Sequence, residues 1–169
     1  MSGRLDREYF EGLYAASGDP WNFETSDYER EKYRRTIEVL GDRRFRRALE
    51  AGASIGVFTE MLAGRCDALL AVDVSEKAVA AARERLAGLD RVRVERRTLP
   101  EEMLQMLDRF EAALAPGGAL LAVHWRRETR TYPLQGDEVH ELLAANTRLT
   151  PTESVAEPDY RLDLFEDHP

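Results

Sequence analysis

The chain has one cysteine, three histidines and no long apolar run, and each scarcity closes off a class of protein. Cys66 has no partner for an intrachain disulfide, so packing must hold the fold, and a lone thiol fits the reducing cytoplasm. His124, His140 and His168 are scattered, which leaves no metal site at ligand spacing. Apolar runs such as residues 68–72 and 119–123 are of strand length and fall far short of a bilayer span, so no membrane partner is expected. The opening octet Met1-Ser2-Gly3-Arg4-Leu5-Asp6-Arg7-Glu8 is charged and lacks the apolar stretch of a secretion signal. Lysine is scarce too: only Lys32 and Lys77 stand among the 24 basic residues, the others being arginine. Against 32 acidic residues they leave a net charge of −8 and a sequence pI of about 5.0. That balance disfavours a nucleic-acid backbone as the main partner, because such binding needs a basic surface.

What is present is ordinary for a globular chain: 169 residues, 43% hydrophobic and 33% charged, enough for one domain with its own core. Helical and strand-like stretches alternate, which predicts an α/β fold with a doubly wound, mostly parallel sheet. A helix is expected over 4–16, stopped by Ser17-Gly18-Asp19-Pro20, and a second from the capping-box pattern Ser26-Asp27-Tyr28-Glu29 to a stop before Gly41. Residues 1–41 thus precede a core over 45–169. In that core strands are expected at 45–51, 68–73, 91–96 and 119–125. The intervening helices are a short one closed by Gly64, one over 76–87 capped by Ser75, one over 103–114, and one from Gly136 or Asp137 to 145. Residues 149–156 and 160–165, about Glu157-Pro158-Asp159, read as an antiparallel hairpin.

A strand, a glycine-rich turn, a helix and a second strand ending in an acid form a nucleotide-binding arrangement, since open parallel sheets bind ligands beyond the carboxyl ends of their strands. Counting Gly-x-Gly-x-x-Gly from Gly52 meets Gly52, Ser54 and Val57, which counts against an NAD(P)-dependent oxidoreductase. Neither lysine follows a glycine, so a P-loop is excluded. What stands there is Glu50-x-Gly52-x-Ser54-x-Gly56, with Asp73 ending the next strand. Each residue also has a plainer reading. The glycines suit a tight connection, Asp73 with Ser75 a helix cap, and Trp21 and Tyr28 packing aromatics. Glu50 paired with Asp73 favours cofactor contact. His140, at helical spacing in Val139-His140-Glu141-Leu142-Leu143, reads as structural, while His124 at a strand end is a candidate base.

These residues resemble the class I S-adenosylmethionine-dependent methyltransferases, whose first motif is an acid followed by Gly-x-Gly-x-Gly and whose second strand ends in an acid. Asp19-Pro20-Trp21, Thr25-Ser26-x-Tyr28-Glu29, Lys32-Tyr33, residues 50–58, Ala71-Val72-Asp73-Val74-Ser75, Leu114-Ala115-Pro116-Gly117-Gly118 and Val123-His124-Trp125 look like the branch containing the nodulation N-methyltransferase NodS. The resemblance implies a Rossmann-like fold with the helices of residues 1–41 as a lid, and S-adenosylmethionine as cofactor, released as S-adenosylhomocysteine. It implies that Gly52 and Gly56 let the backbone approach the cofactor, that Asp73 accepts both ribose hydroxyls, and that Glu50 acts through the glycine turn or on the cofactor's ammonium. Trp21 would cover the sulfonium. Ser54, Val74, Thr98 and Leu99 would complete the cofactor site, with His124, Tyr14 or Tyr28 assisting deprotonation of a small-molecule acceptor such as an amino sugar. A module that binds the cofactor without catalysis is the alternative reading.

Two positions depart from that class: Ser54 replaces the central glycine, and Thr98 stands where an acid usually holds the adenine amine. The class also implies a fourth strand, preceded by Phe-Asp, between Glu102 and Met103, where nothing matches. Two outcomes are expected. Either roughly 20–30 further residues belong there, or the strand over 119–125 pairs with the first strand.

Overall fold

The computed structural model describes residues 7–98, 103–127 and 134–167, and these divide into two compact units, residues 7–98 and residues 103–167. The junction at Glu102, together with Leu99 and His168, lies outside the described residues.

The first unit opens with α1 (Arg7–Ala16) and α2 (Asp27–Val39). The chain breaks between them at Ser17-Gly18-Asp19-Pro20, as expected. Ser26 caps α2 by accepting the Glu29 amide at 3.3 Å, while the Glu29 carboxylate pairs with Lys32 Nζ at 2.6 Å. A parallel sheet follows, built from β1 (Ala48–Ala51), β2 (Leu69–Asp73) and β3 (Val92–Arg96) in the order β1-β2-β3. Glu50 stands beside Ala71 and Asp73 beside Arg96. The apolar run Leu69 to Val72 belongs to the central strand because both its faces are covered: Leu69, Ala71 and Val72 are buried. Helix α3 (Val57–Ala63) joins β1 to β2, and α4 (Glu76–Arg85) joins β2 to β3. Ser75 caps α4 through the Ala78 amide, and Val79, Ala82 and Leu86 pack on Ala71 and Val94.

The second unit contains α5 (Met103–Ala113), β4 (Ala119–Trp125), α6 (Gly136–Asn146), β5 (Thr150–Ala156) and β6 (Tyr160–Glu166). Its sheet is antiparallel in the order β4-β6-β5, so the expected hairpin forms and takes β4 as its third strand. The alternative pairing of residues 119–125 with the first strand is not adopted: among the described residues β4 pairs with β6 and β1 with β2. Strand β6 lies between its two neighbours and is buried on both faces over residues 162–165. Leu162, Leu164 and Phe165 are almost wholly enclosed, and Phe165 packs with Leu107, Ala122, Leu143 and Leu149.

Phe165 is therefore the largest side chain of that core. Replacing it with alanine is expected to cost about 3–5 kcal/mol, read as a lowered urea midpoint followed through a probe in residues 103–167.

Candidate functional site

The carboxyl ends of β1 and β2 meet at the glycine-rich turn. Gly52, Ser54 and Gly56 all have φ in the left-handed region, at +78°, +51° and +83°. Ser54 thus occupies the backbone conformation that a glycine would adopt freely, which explains how the class pattern survives its replacement. Its hydroxyl shares a hydrogen bond of 2.5 Å with Tyr14 of α1. The turn is pinned by Asp73, whose Oδ2 accepts the Ser54 amide and whose Oδ1 accepts the Ser75 amide, both at 2.9 Å. Capping of α4 falls to Ser75, so Asp73 is not the helix cap.

The two glycines do different work. A Cβ on Gly56 would lie 3.0 Å from Leu86 Cδ1 and 3.2 Å from Ala82 Cβ, because α3 starts directly against α4. A Cβ on Gly52 would meet nothing within 4 Å. Gly56 serves packing, and Gly52 leaves room for something else to approach the backbone.

Glu50 sits one strand-step before that room. Its Oε2 is buried without a hydrogen-bond partner, as is Thr59 Oγ1 on α3. Burial pushes the Glu50 carboxyl up to about 7, the neighbouring Thr59 hydroxyl opposing and the Asp73 carboxylate adding to the rise. Asp19 Oδ1, in the segment after α1, is a second buried acceptor without a partner. Burial and then the carboxylates of Glu29, Glu50 and Asp19 hold the Tyr33 phenol above its usual range, so α2 faces the same acidic end of the sheet. An aromatic series closes it: Tyr14 against Trp21 with centroids 5.6 Å apart, Trp21 against Phe23 at 5.6 Å, and Tyr33 stacked on Phe58 at 5.3 Å. Orphan carboxylate oxygens, an open Gly52 and an aromatic wall suit a ligand that carries a cationic donor.

The remaining expected residues are placed as follows. Tyr28 stands at the start of α2, its ring 5.5 Å from Lys32 Nζ. Val74 is half-buried after β2, and Thr98 is exposed just beyond Arg97, whose amide bonds the Asp73 carbonyl at 2.9 Å. Leu99 lies outside the described residues. His124 belongs to the other unit, on β4, where its Nδ1 is 3.2 Å from His140 Nε2. His140 is wholly buried on α6, its Nδ1 2.7 Å from Asp163 Oδ2. Among the described residues no group of His, Cys, Asp and Glu could hold a metal ion, and no helix is long and apolar enough to cross a membrane.

The chain matches the nodulation protein S (NodS) family over residues 11–107. It belongs to that family. Nodulation protein S of Bradyrhizobium diazoefficiens is 40% identical over 65 residues, which are 38% of this chain and 31% of that protein. The matched stretch is thus about a third of the length of that relative. A solved structure from Pseudomonas syringae is 34% identical, with a TM-score of 0.73, and covers 82% of this chain and 98% of that one. The N-methyltransferase NodS of Bradyrhizobium japonicum WM9, solved with S-adenosylhomocysteine, superimposes with a TM-score of 0.83 over 96% of this chain and 99% of that chain at 24% identity, a likeness of fold.

Within this NodS-family site, Tyr33 and Thr59 were not singled out from the sequence as site residues, whereas Tyr14 was named there as a candidate for assisting deprotonation. Tyr33 carried a signal, its place in the Lys32-Tyr33 motif; Thr59 joins only through helix packing.

Two outcomes follow. Gly56→Ala should lower stability more than Gly52→Ala, which incurs only the left-handed backbone cost of about 1–2 kcal/mol; urea unfolding of the two variants measures the difference. A carboxyl raised in the folded state stabilises below its ordinary value of 4.5, and that contribution is lost as pH rises through about 7. Glu50→Gln should therefore flatten the decline in unfolding free energy between pH 4.5 and 8, measured by urea titration across that range.

Proposed function

We propose that this chain binds S-adenosylmethionine at the ends of β1 and β2 and transfers its methyl group to a small-molecule acceptor, an amine being the favoured class. The observation that carries the reading is the Asp73 carboxylate, which spends one lone pair of each oxygen on the turn and on α4 and keeps the others for two adjacent hydroxyls. The orphaned Glu50 oxygen and the open side of Gly52 support the fit of a ligand with an ammonium group.

When bound, the cofactor supplies a methyl group already activated by its sulfonium, so the C–S bond breaks as the acceptor nitrogen forms its bond to carbon. The chain's residues then bind, orient and exclude water. Asp73 accepts the ribose hydroxyls, Gly52 admits the ligand to the backbone, and Glu50 faces the ammonium. Thr98 accepts the adenine amine, and Val74 contacts the cofactor beside it. Trp21, on the segment after α1, covers the sulfonium, and the helices of residues 1–41 act as the lid, with Ser17-Gly18-Asp19-Pro20 as hinge. His124, Tyr14 and Tyr28 are the candidates for taking the acceptor's proton. The net charge of −8 favours a small acceptor over a nucleic acid, and the lone thiol of Cys66 favours a cytoplasmic setting.

A second reading, cofactor binding without turnover, draws support from the division of the strands into two sheets where the class implies one. Calorimetry and a methyl-transfer assay separate the two. Saturable binding of S-adenosylhomocysteine is expected, and no heat at millimolar ligand overturns both readings. Asp73→Ala should weaken binding by about 1.5–3 kcal/mol, tenfold or more. Binding with no transfer to any amine acceptor favours the second reading.

A further inference from the structure

Two neighbouring polar atoms of the first unit are buried without a hydrogen bond: Glu50 Oε2, on β1, and Thr59 Oγ1, on α3. Thr59 is wholly buried, and its hydroxyl is near enough to act on the Glu50 carboxyl. A second acid stands on the same side of the sheet. Glu50 lies opposite Ala71 in the parallel register, and Asp73 is two residues beyond Ala71, so the two carboxyl groups share a face. Asp73 is satisfied by the Ser54 and Ser75 amides. Glu50 Oε2 has no such donor.

The titratable groups around Glu50 come from several elements. Strand β2 brings Asp73. Helix α2 brings the Tyr33 phenol, on which Glu29, Glu50 and Asp19 all act, and Cys66 ahead of β2 is raised in part by Glu50. Lys32 of α2 is engaged with the Glu29 carboxylate at 2.6 Å. None of the groups that act on Glu50 itself is a cation: burial raises it, the Thr59 hydroxyl opposes, and Asp73 adds to the rise. Its carboxyl is thus held at about 7, and near neutral pH about half of the free chains carry it protonated.

A neutral carboxyl and a carboxylate ask opposite things of a neighbour. The first offers a hydrogen and the second accepts one, and a threonine hydroxyl can answer both. Valine has the same outline and answers neither. The unit supplies no ion that would stabilise a charged Glu50, whereas a ligand's ammonium would bring both the charge and the missing donor. The way in is the open side of Gly52, two residues after Glu50.

We propose that Glu50, with Thr59 as its positioning residue, gives up a proton when the site takes a ligand bearing an ammonium group, so that capture releases a hydrogen ion and strengthens as the medium becomes less acidic. The inference rests on the reading of this site as one for S-adenosylmethionine. The exchange balances. The Glu50 O–H bond breaks and its proton leaves to the buffer, while an ammonium N–H of the ligand bonds the freed oxygen and stays on nitrogen. One positive charge enters and one departs. Thr59 then donates its hydroxyl hydrogen to the new carboxylate. For a carboxyl that titrates at about 7 when free and is ionised when bound, affinity rises about tenfold from pH 6 to pH 8.

The test is calorimetry of the full chain with S-adenosylhomocysteine at pH 6, run in two buffers of different ionisation heat. The ligand's own amino and carboxyl groups do not titrate there, so release of about one proton per ligand belongs to the protein, and Glu50→Gln should bring it close to zero. Thr59→Val should move the rise in affinity to higher pH, and Thr59→Ser should restore it; an unmoved profile in Thr59→Val overturns the part given to Thr59. Saturable binding with no proton released, or a release that Glu50→Gln leaves unchanged, overturns the proposal and leaves the cofactor reading standing. No binding at millimolar ligand overturns both. Carbon-13 NMR titration of the unliganded chain adds a check that needs no ligand: Glu50 should titrate at about 7, and a Glu50 carboxyl in the ordinary range overturns the proposal alone.

Discussion

One carboxylate organises the ligand-facing end of the first unit. Asp73 closes the central strand β2 and gives one oxygen to the turn after β1 and the other to the residue that caps α4. A single side chain thereby joins three consecutive pieces of chain. The left-handed φ of Ser54 is held by a charge-assisted bond at its own amide. The same side chain contributes to the raised carboxyl of Glu50. Two acids at the ends of adjacent parallel strands are costly to keep close, and both burial and the Asp73 carboxylate push Glu50 up.

The second unit meets its polar groups in another way. Its antiparallel sheet is apolar around Phe165 and polar where Asp163, Arg161 and His124 share a face. Buried polar chains stabilise a fold only when every member has a partner. Here Ser154, Arg161 and His140 divide the Asp163 oxygens among them, and α6 can lie low enough to deliver His140 only because position 136 has no side chain.

Much of the first unit was legible before folding. The apolar run before Asp73 signalled a strand covered on both faces, Ser75 signalled the start of α4, and the break at residues 17–20 separated two helices. Glu50, Gly52, Gly56 and Asp73 were legible as a set because their spacing across a strand, a turn and the next strand is local. The contribution of α2 was not. Tyr33 is influenced by Glu50 and Asp19 only because the helix packs over the sheet end, and no spacing along the chain encodes that. Tyr14 meets Ser54 forty residues away for the same reason.

The amino-acid order by itself determined which segments are helix or strand, which acids end the strands, and where the backbone must turn through the left-handed region. These follow from periodicity, capping and glycine placement within a few residues. Only the tertiary structure decided that residues 119–125 run antiparallel to residues 160–166, and that His140, at an ordinary core spacing, stands between His124 and Asp163. An apolar run specifies burial but not the strand beside it, and a histidine's tautomer is set by whichever partners the packing brings to its two nitrogens.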